Sequence, residues 1–200
     1  MRENDPRLIL ICCEGTTEEL YFNAVIDARR IPGALVPPAE SFNGSKHKAL
    51  IDICAQKRAN TSSDPKYDIP EDEIEVWAVF DKDDWSHGFT SLERYAANKN
   101  IRLAYSDPQF ETYLLQHLSQ DGSRKCGDEL EHYLAQKMDD AGHGSAYDKS
   151  NLDWLKKLID DRPRTLEMAI ANANLRSNRT RSPFLTTHKL TERLLEFEPK

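Results

Sequence analysis

Two continuous apolar runs organise this chain. RLILICC at 7–13 and IEVWAVF at 74–80 do not alternate with polar residues, which is the pattern of strands covered on both faces. Each run stops on acid: Glu14 after the first, and Asp81, Asp83 and Asp84 after the second. Thr16 and Glu19 form a capping-box pattern that opens a helix over 16–30, with Leu20, Phe22, Val25 and Ile26 as its apolar positions. Pro32 and Gly33 end that helix. ALVPPAES at 34–41 predicts a second strand, placed at a sheet edge because Pro37 and Pro38 cannot donate to a central ladder. The turn FNGSK leads to a helix over 45–59 with Ala49, Leu50, Ile53 and Cys54 on its apolar face. Residues 61–73 are polar, contain Pro65 and Pro70, and read as a mobile loop. DWSHG forms a turn after the acidic motif, a helix spans 90–98, and IRLAY at 101–105 is a fourth short strand.

Helical periodicity dominates the remainder. QFETYLLQHL follows Pro108, 119–127 is a loop, and helices cover 128–139, 150–160, 164–177 and 187–196. Ser150 is the expected cap of the helix near 150, whose buried stripe is Leu152, Leu155, Leu158 and Ile159. Strands alternating with helices and then helices alone predict an α/β fold. Its core, 1–118, is a four-stranded, mainly parallel sheet flanked by helices; 119–200 is a helical extension packed on that core.

Composition narrows the class. A chain of 200 residues, 38% apolar and 30% charged, suits a soluble globular protein. No apolar run is long enough to span a bilayer. The polar start MRENDPR predicts no secretory signal and a cytoplasmic location. Cys12, Cys13, Cys54 and Cys126 contain no C-x₂-C pair, and adjacent Cys12 and Cys13 point to opposite faces of a strand. All four are expected as small buried hydrophobes.

The net charge of −7 argues against a non-specific nucleic-acid coat, but the charge is unevenly spread. Residues 68–84 carry eight acids against Lys82 alone, whereas 162–193 carry Arg162, Arg164, Arg176, Arg179, Arg181, Lys189 and Arg193 against two acids. Strand ends line the ligand crevice of an open α/β sheet. Carboxylates gathered there repel unless neutralised, and a divalent ion with oxygen ligands, Mg²⁺ first and Mn²⁺ as a substitute, is the natural counter-charge. Asp81 and Asp83, at i,i+2, project from one face of extended backbone. Glu111 is a candidate ligand or base. Lys149 and Lys189 are candidate phosphate contacts, with Lys189 placed to neutralise charge developing on a scissile phosphate. Arg176, Arg179 and Arg181 are candidates to hold the backbone. The plainer alternatives are solvated loop acids, a charged turn, surface lysines and two ordinary charged faces. Ser106 and Asp107 are alternatively a helix cap pair. His87 and His143 fall in turns, and His117 faces away from Glu111 as a surface or packing histidine. Trp77, Trp85 and Trp154 form no stacking platform. There is no phosphate-cradling G-K-[ST] loop.

The order Glu14, Asp81, Asp83 resembles the Toprim domain of topoisomerases, primases and overcoming-lysogenization-defect nucleases. The chain is more fully similar to the RloB family, whose members are often encoded with restriction and anti-phage loci. The segments that carry this are ICCEGTTEELYF at 11–22, VFDKDDW at 79–85, SDPQFETYLLQH at 106–117, YDKS at 147–150 and SPFLTTHKLTERL at 182–194. The resemblance implies a Toprim-like core holding Mg²⁺ through Glu14, Asp81 and Asp83, with Glu111 drawn into the site. It implies a nuclease acting on DNA or RNA in antiviral defence beside an ABC- or AAA-type ATPase, with homo-oligomerisation left open. The competing expectation is a non-catalytic module of the same fold that binds a nucleotide or docks on the ATPase. Strand passage or priming lacks both a gate and a triphosphate grip.

Overall fold

The computed structural model describes residues 6–45, 47–82, 89–162, 164–178 and 180–197. Asp83, Asp84, Trp85, His87 and Arg179 lie outside them. Strand β1, Leu8–Cys13, is buried along its full length, as a doubly covered strand must be. It pairs in parallel with β3, Ile74–Asp81, in the register Leu8↔Ile74 to Cys13↔Val79. Strand β4, Arg102–Asp107, lies parallel on the other side of β3. The proline-flanked segment yields only a two-residue β2, Glu40–Ser41, which is parallel to β1 and at the sheet edge. At the opposite edge, β5, Phe184–Leu185, runs antiparallel to β4 and completes the order β2-β1-β3-β4-β5. The four expected strands are present; the fifth comes from the C-terminal region, where two residues carry no readable period.

Eight helices are described: α1 Thr16–Ala28, α2 Lys48–Ser63, α3 Phe89–Asn98, α4 Glu111–Leu115, α5 Gly127–Asp140, α6 Asp153–Asp161, α7 Thr165–Asn174 and α8 Thr187–Leu195. Strand parity sorts the core. Leu8, Leu10, Cys12, Val76, Ala78 and Phe80 face α2 and α3 with Leu50, Ile51, Cys54 and Leu92. Ile9, Ile11, Cys13, Trp77 and Val79 face α1 and the later helices, joining Phe22, Val25, Leu130, Leu155, Leu166 and Leu190 in one cluster. Cys12 and Cys13 therefore do part to opposite faces. Truncating a side chain such as Ile11, which is buried, to alanine is expected to cost about 2–5 kcal/mol.

Several local expectations are corrected. Helix α1 is preceded by Gly15, with no side-chain cap; Glu19 instead accepts the Ser41 hydroxyl and ties α1 to β2. Leu152, not Ser150, precedes α6, because Ser150 is turned onto Asp148 Oδ1 through its N–H at 2.8 Å and its hydroxyl at 2.6 Å. Ser106 and Asp107 are the last residues of β4 rather than a helix cap. Helix α2 runs through Ser63, and residues 71–73 form a 3-10 turn, so the 61–73 segment is partly helical. Cys126 is exposed, whereas the other three cysteines are buried and all four are free. Among the described residues, no helix is long and apolar enough to cross a membrane.

Candidate functional site

The carboxyl ends of β1 and β3 open onto a small pocket of about 150 Å³, lined by Glu14, Gly15, Thr17, Glu18, Asp81, Phe110, Glu111 and Lys149. Glu14 is held against the sheet because its N–H continues the ladder to Val79 O at 2.8 Å. Asp81 is the final residue of β3. Gly15 is the junction between β1 and α1. Its backbone is extended, so φ does not demand glycine; space does. A Cβ there would stand 2.9 Å from Glu18 Oε2, so the missing side chain is what lets the Glu18 carboxylate fold back over the junction.

Glu18 is only 5% exposed. Burial, followed by the charges of Glu14 and Glu111, pushes its carboxyl up to about 7, and Lys149 opposes the shift. Glu111 is also buried and accepts the Tyr147 hydroxyl at 3.0 Å. Lys149 Nζ lies 3.4 Å from Glu111 and 2.9 Å from Glu131. Burial draws the Lys149 ammonium down, but Glu131 and Glu111 outweigh it and hold the group above its ordinary value. Burial beside Glu111 keeps the Tyr147 phenol protonated. The Lys149 carbonyl accepts the Thr17 hydroxyl at 3.1 Å, so residues 147–149 form a strap fastened to α1 and α4 across the pocket.

A buried polar cluster sets α1 against α4. His117 Nδ1 faces the carbonyls of Tyr113 at 3.3 Å and Leu114 at 3.2 Å, so that nitrogen carries the proton. Nε2 then accepts the Tyr21 hydroxyl at 3.2 Å. Tyr113 donates to Thr191 of α8 at 2.8 Å, and the Thr191 hydroxyl lies 3.3 Å from that of Tyr21. Of the two expectations for His117, surface or packing, the structure selects packing: the residue is fully buried. Burial lowers its imidazole to about 4.

The structure thus brings together Glu14, Asp81, Glu111 and Lys149. Asp83 lies outside the described residues. Lys189 lines a different cavity, beside α3, β4 and β5. Arg176 is half-buried and its guanidinium holds the Gln120 carbonyl, leaving no room for a side chain at Gly122. Arg181 is exposed. The acidic and basic stretches are not simple opposing surfaces. Glu75 is buried, accepts Trp77 Nε1 at 2.7 Å, and pairs with Arg193 at 3.3 Å and Arg102 at 3.5 Å. Lys82 is paired with Asp107 at 2.6 Å.

Sequence reasoning missed Glu18, Thr17 and the contacts of Tyr147. A signal for Glu18 exists: it shares a helical face with Phe22 and Val25 at i+4 and i+7, and a carboxylate on an apolar stripe is anomalous. The groups of the pocket able to ligate a metal are oxygens, since the Lys149 ammonium has no lone pair to offer, and oxygen ligands suit a hard divalent cation. Among the described residues, no three His, Cys, Asp or Glu groups stand in a metal-holding cluster. The fit therefore rests on donor type, with Glu14 and Asp81 as the strand-end pair.

A family model described as RloB-like protein matches residues 9–194. The chain belongs to the RloB-like family. The match covers the strand-end acids, the strap and β5, and all but the first residue of β1 and the last of α8. No curated protein and no solved structure matches the chain at the significance applied.

Proposed function

We propose that this RloB-like protein is a divalent-cation-dependent nuclease with a Toprim-like core, acting in anti-phage defence beside an ABC- or AAA-type ATPase. The observation that supports the reading is the acidic pocket at the carboxyl ends of β1 and β3. Glu14 and Asp81 would hold Mg²⁺ or Mn²⁺. Such an ion, when bound, activates water and stabilises the charge of an in-line phosphodiester displacement. Lys149 offers positive charge at the rim, where its exposed ammonium meets a substrate phosphate. Tyr147 keeps Glu111 oriented, and Phe110 walls the pocket from the core. Arg181 is free to approach a nucleic-acid backbone from the surface.

Plasmid, single-stranded DNA and tRNA incubated with the protein in Mg²⁺ or Mn²⁺, with and without the ATPase, test this. We expect cleavage that falls in D81N by about 10²-fold or more, the scale of losing one preorganised electrostatic contact. Failure of the wild type on all three substrates under both conditions overturns it. One observation favours a second reading, a docking module: Glu111 is already satisfied by Tyr147 and Lys149 within the chain. On that reading D81A keeps its ATPase association and no cleavage appears. On the nuclease reading D81A loses metal affinity and activity together.

A further inference from the structure

Among the described residues that line the acidic pocket, Lys149 is the one cation, against Glu14, Glu18, Asp81 and Glu111. Its ammonium stands between acids of two different helices, 3.4 Å from Glu111 Oε1 of α4 and 2.9 Å from Glu131 Oε1 of α5. Glu111 is buried, so the first pair lies within the pocket; Glu131 is partly exposed, so the second lies toward solvent. The Tyr147 hydroxyl donates to the same Glu111 oxygen at 3.0 Å. The strap therefore engages Oε1 of Glu111 twice. Glu14, Asp81 and Glu111 share one pocket, yet among the described residues no three acids converge as a metal-holding cluster.

The strap is lightly held and has space beside it. It belongs to the 141–152 connection between α5 and α6. That connection leaves α5 through Gly142 and Gly144, whose φ values of +80° and +86° only glycine adopts freely, and a Cβ at either would meet no atom within 4 Å. Ser145, Ala146, Asp148 and Ser150 are exposed. The Tyr147 ring packs against the core, and Thr17 of α1 donates to the Lys149 carbonyl at 3.1 Å. A second cavity, of about 260 Å³, opens between the connection and α5. Asp128, Glu131 and His132 line it from the helix, and Ser145, Ala146 and Tyr147 from the connection. It shares no described lining residue with the acidic pocket. The strap thus divides two spaces, and the Glu131 that already holds Lys149 belongs to the outer one.

We propose that Lys149 is the resident counter-ion of the acidic pocket and that the strap carrying it is a latch opened by a divalent ion: the ion takes the strand-end acids, the ammonium leaves Glu111 for Glu131 alone, and Glu111 turns to the ion. The inference rests on the reading of the pocket as a divalent-cation site and adds how that site is kept closed. A buried carboxylate without a positive partner is costly, and in the chain by itself Lys149 is that partner for Glu111. A divalent ion brings twice the charge and repels the ammonium across a pocket from which water is largely withdrawn. The two cations therefore exclude each other at Glu111. Opening gives up the bonds from Tyr147 and Thr17, so those two hydroxyls set how much of the ion's affinity is spent on release.

Trypsin takes a lysine side chain into its own acidic pocket, so cutting after Lys149 reports the latch directly. In the full chain, followed by mass spectrometry, that cut should be slow in EDTA and about fivefold faster or more in Mg²⁺, the scale of releasing two hydrogen bonds. D81N, which weakens the grip on the ion, should be cut in Mg²⁺ as the wild type is in EDTA. Calorimetry with Mg²⁺ alone separates a latch from a fixed support. Y147F keeps the ring and T17V the shape; each removes one strap bond and no charge. Each should bind Mg²⁺ about threefold more tightly or better, the scale of one net hydrogen bond. Either variant suffices if the other does not fold. A strap that only steadies Glu111 for the ion would make Y147F bind Mg²⁺ more weakly, and equal or weaker binding in the folded variants overturns the proposal. So does a Lys149 cut that Mg²⁺ leaves unchanged or slows. Release by Mg²⁺ without cleavage of any nucleic acid removes the nuclease reading and keeps the latch; nucleic-acid cleavage without release removes the latch alone. A wild type that binds no Mg²⁺ overturns both.

Discussion

Glu18 and His117 titrate against each other. Glu18 is raised from 4.5 to about 7. Below pH 4.5 both folded and unfolded states hold the proton and stability is full; as pH rises toward 7 the unfolded chain releases it first and stability falls. His117 is lowered from 6.5 to about 4 by burial, which outweighs its carbonyl contacts. Above pH 6.5 its stability is full, and it is lost as pH falls toward 4. Burial lowers His188 to about 4 as well, with the same sign. Each fully buried shift of this size corresponds to about 3 kcal/mol. The slopes partly cancel between pH 4.5 and 6.5 in the wild type. E18Q should expose the histidine slope. In EDTA we expect E18Q to be more stable than wild type at pH 8, by up to about 3 kcal/mol, and to lose stability more steeply on acidification. Urea unfolding at pH 5 and pH 8 checks both signs. Equal stability of E18Q and wild type at pH 8 would refute the Glu18 assignment. At the same scale, G15A should push the Glu18 carboxylate off the β1–α1 junction, since its Cβ would meet Oε2 at 2.9 Å. Its pH profile should then change without loss of the fold.

At the scale of elements, α8 is fastened by polar contacts as well as by Leu190 and Leu194. Thr191 joins Tyr21 of α1 to Tyr113 of α4, so T191V removes the only hydroxyl that both phenols reach on α8 among the described residues. We expect a loss of about 1–3 kcal/mol, the cost of stranding buried donors, measured by urea unfolding. Arg193, one turn away from Leu190, pairs with buried Glu75 of β3. Removing one partner of a buried ion pair leaves the other charge uncompensated, and R193A should cost about 3–5 kcal/mol. Arg102 also meets Glu75, at 3.5 Å, and places the result toward the lower end. An R193A variant as stable as wild type would show that Arg102 alone carries Glu75.

For the molecule as a whole, the described residues after 181, 182–197, complete the sheet. β5 covers the carboxyl end of β4, Thr186 and Thr187 bond to Tyr105 and Ser106, and Leu190 and Leu194 enter the cluster that holds Ile9, Phe22 and Val79. A chain ended at residue 181 should therefore expose apolar surface of α1 and α4 and leave the β4 edge open. We expect it to aggregate or to lose cooperative unfolding, seen by circular dichroism during heating. A truncated chain with a sharp thermal transition would refute this.

What was legible in the residues was what local pattern controls. Continuous apolar runs marked β1 and β3, because strands covered on both faces have no polar side. The 3.6-residue stripes marked α5 to α8, and the strand ends located Glu14 and Asp81. The bounds of α2, β4 and α6 differed because a helix end or strand end depends on which partner takes the last N–H and hydroxyl groups. Ser150 went to Asp148 and Glu19 to Ser41, choices that no local period encodes. The composition of the pocket was tertiary as well. Glu18, Glu111 and Lys149 lie far apart in the chain and acquire their chemistry only when burial removes water and places their charges together. The same folding takes Arg176, Arg193 and Glu75 out of the apparent charged faces by giving them partners. A sequence displays which charges a chain has; which of them remain available depends on packing, since a charge is spent or left open by its neighbours in space.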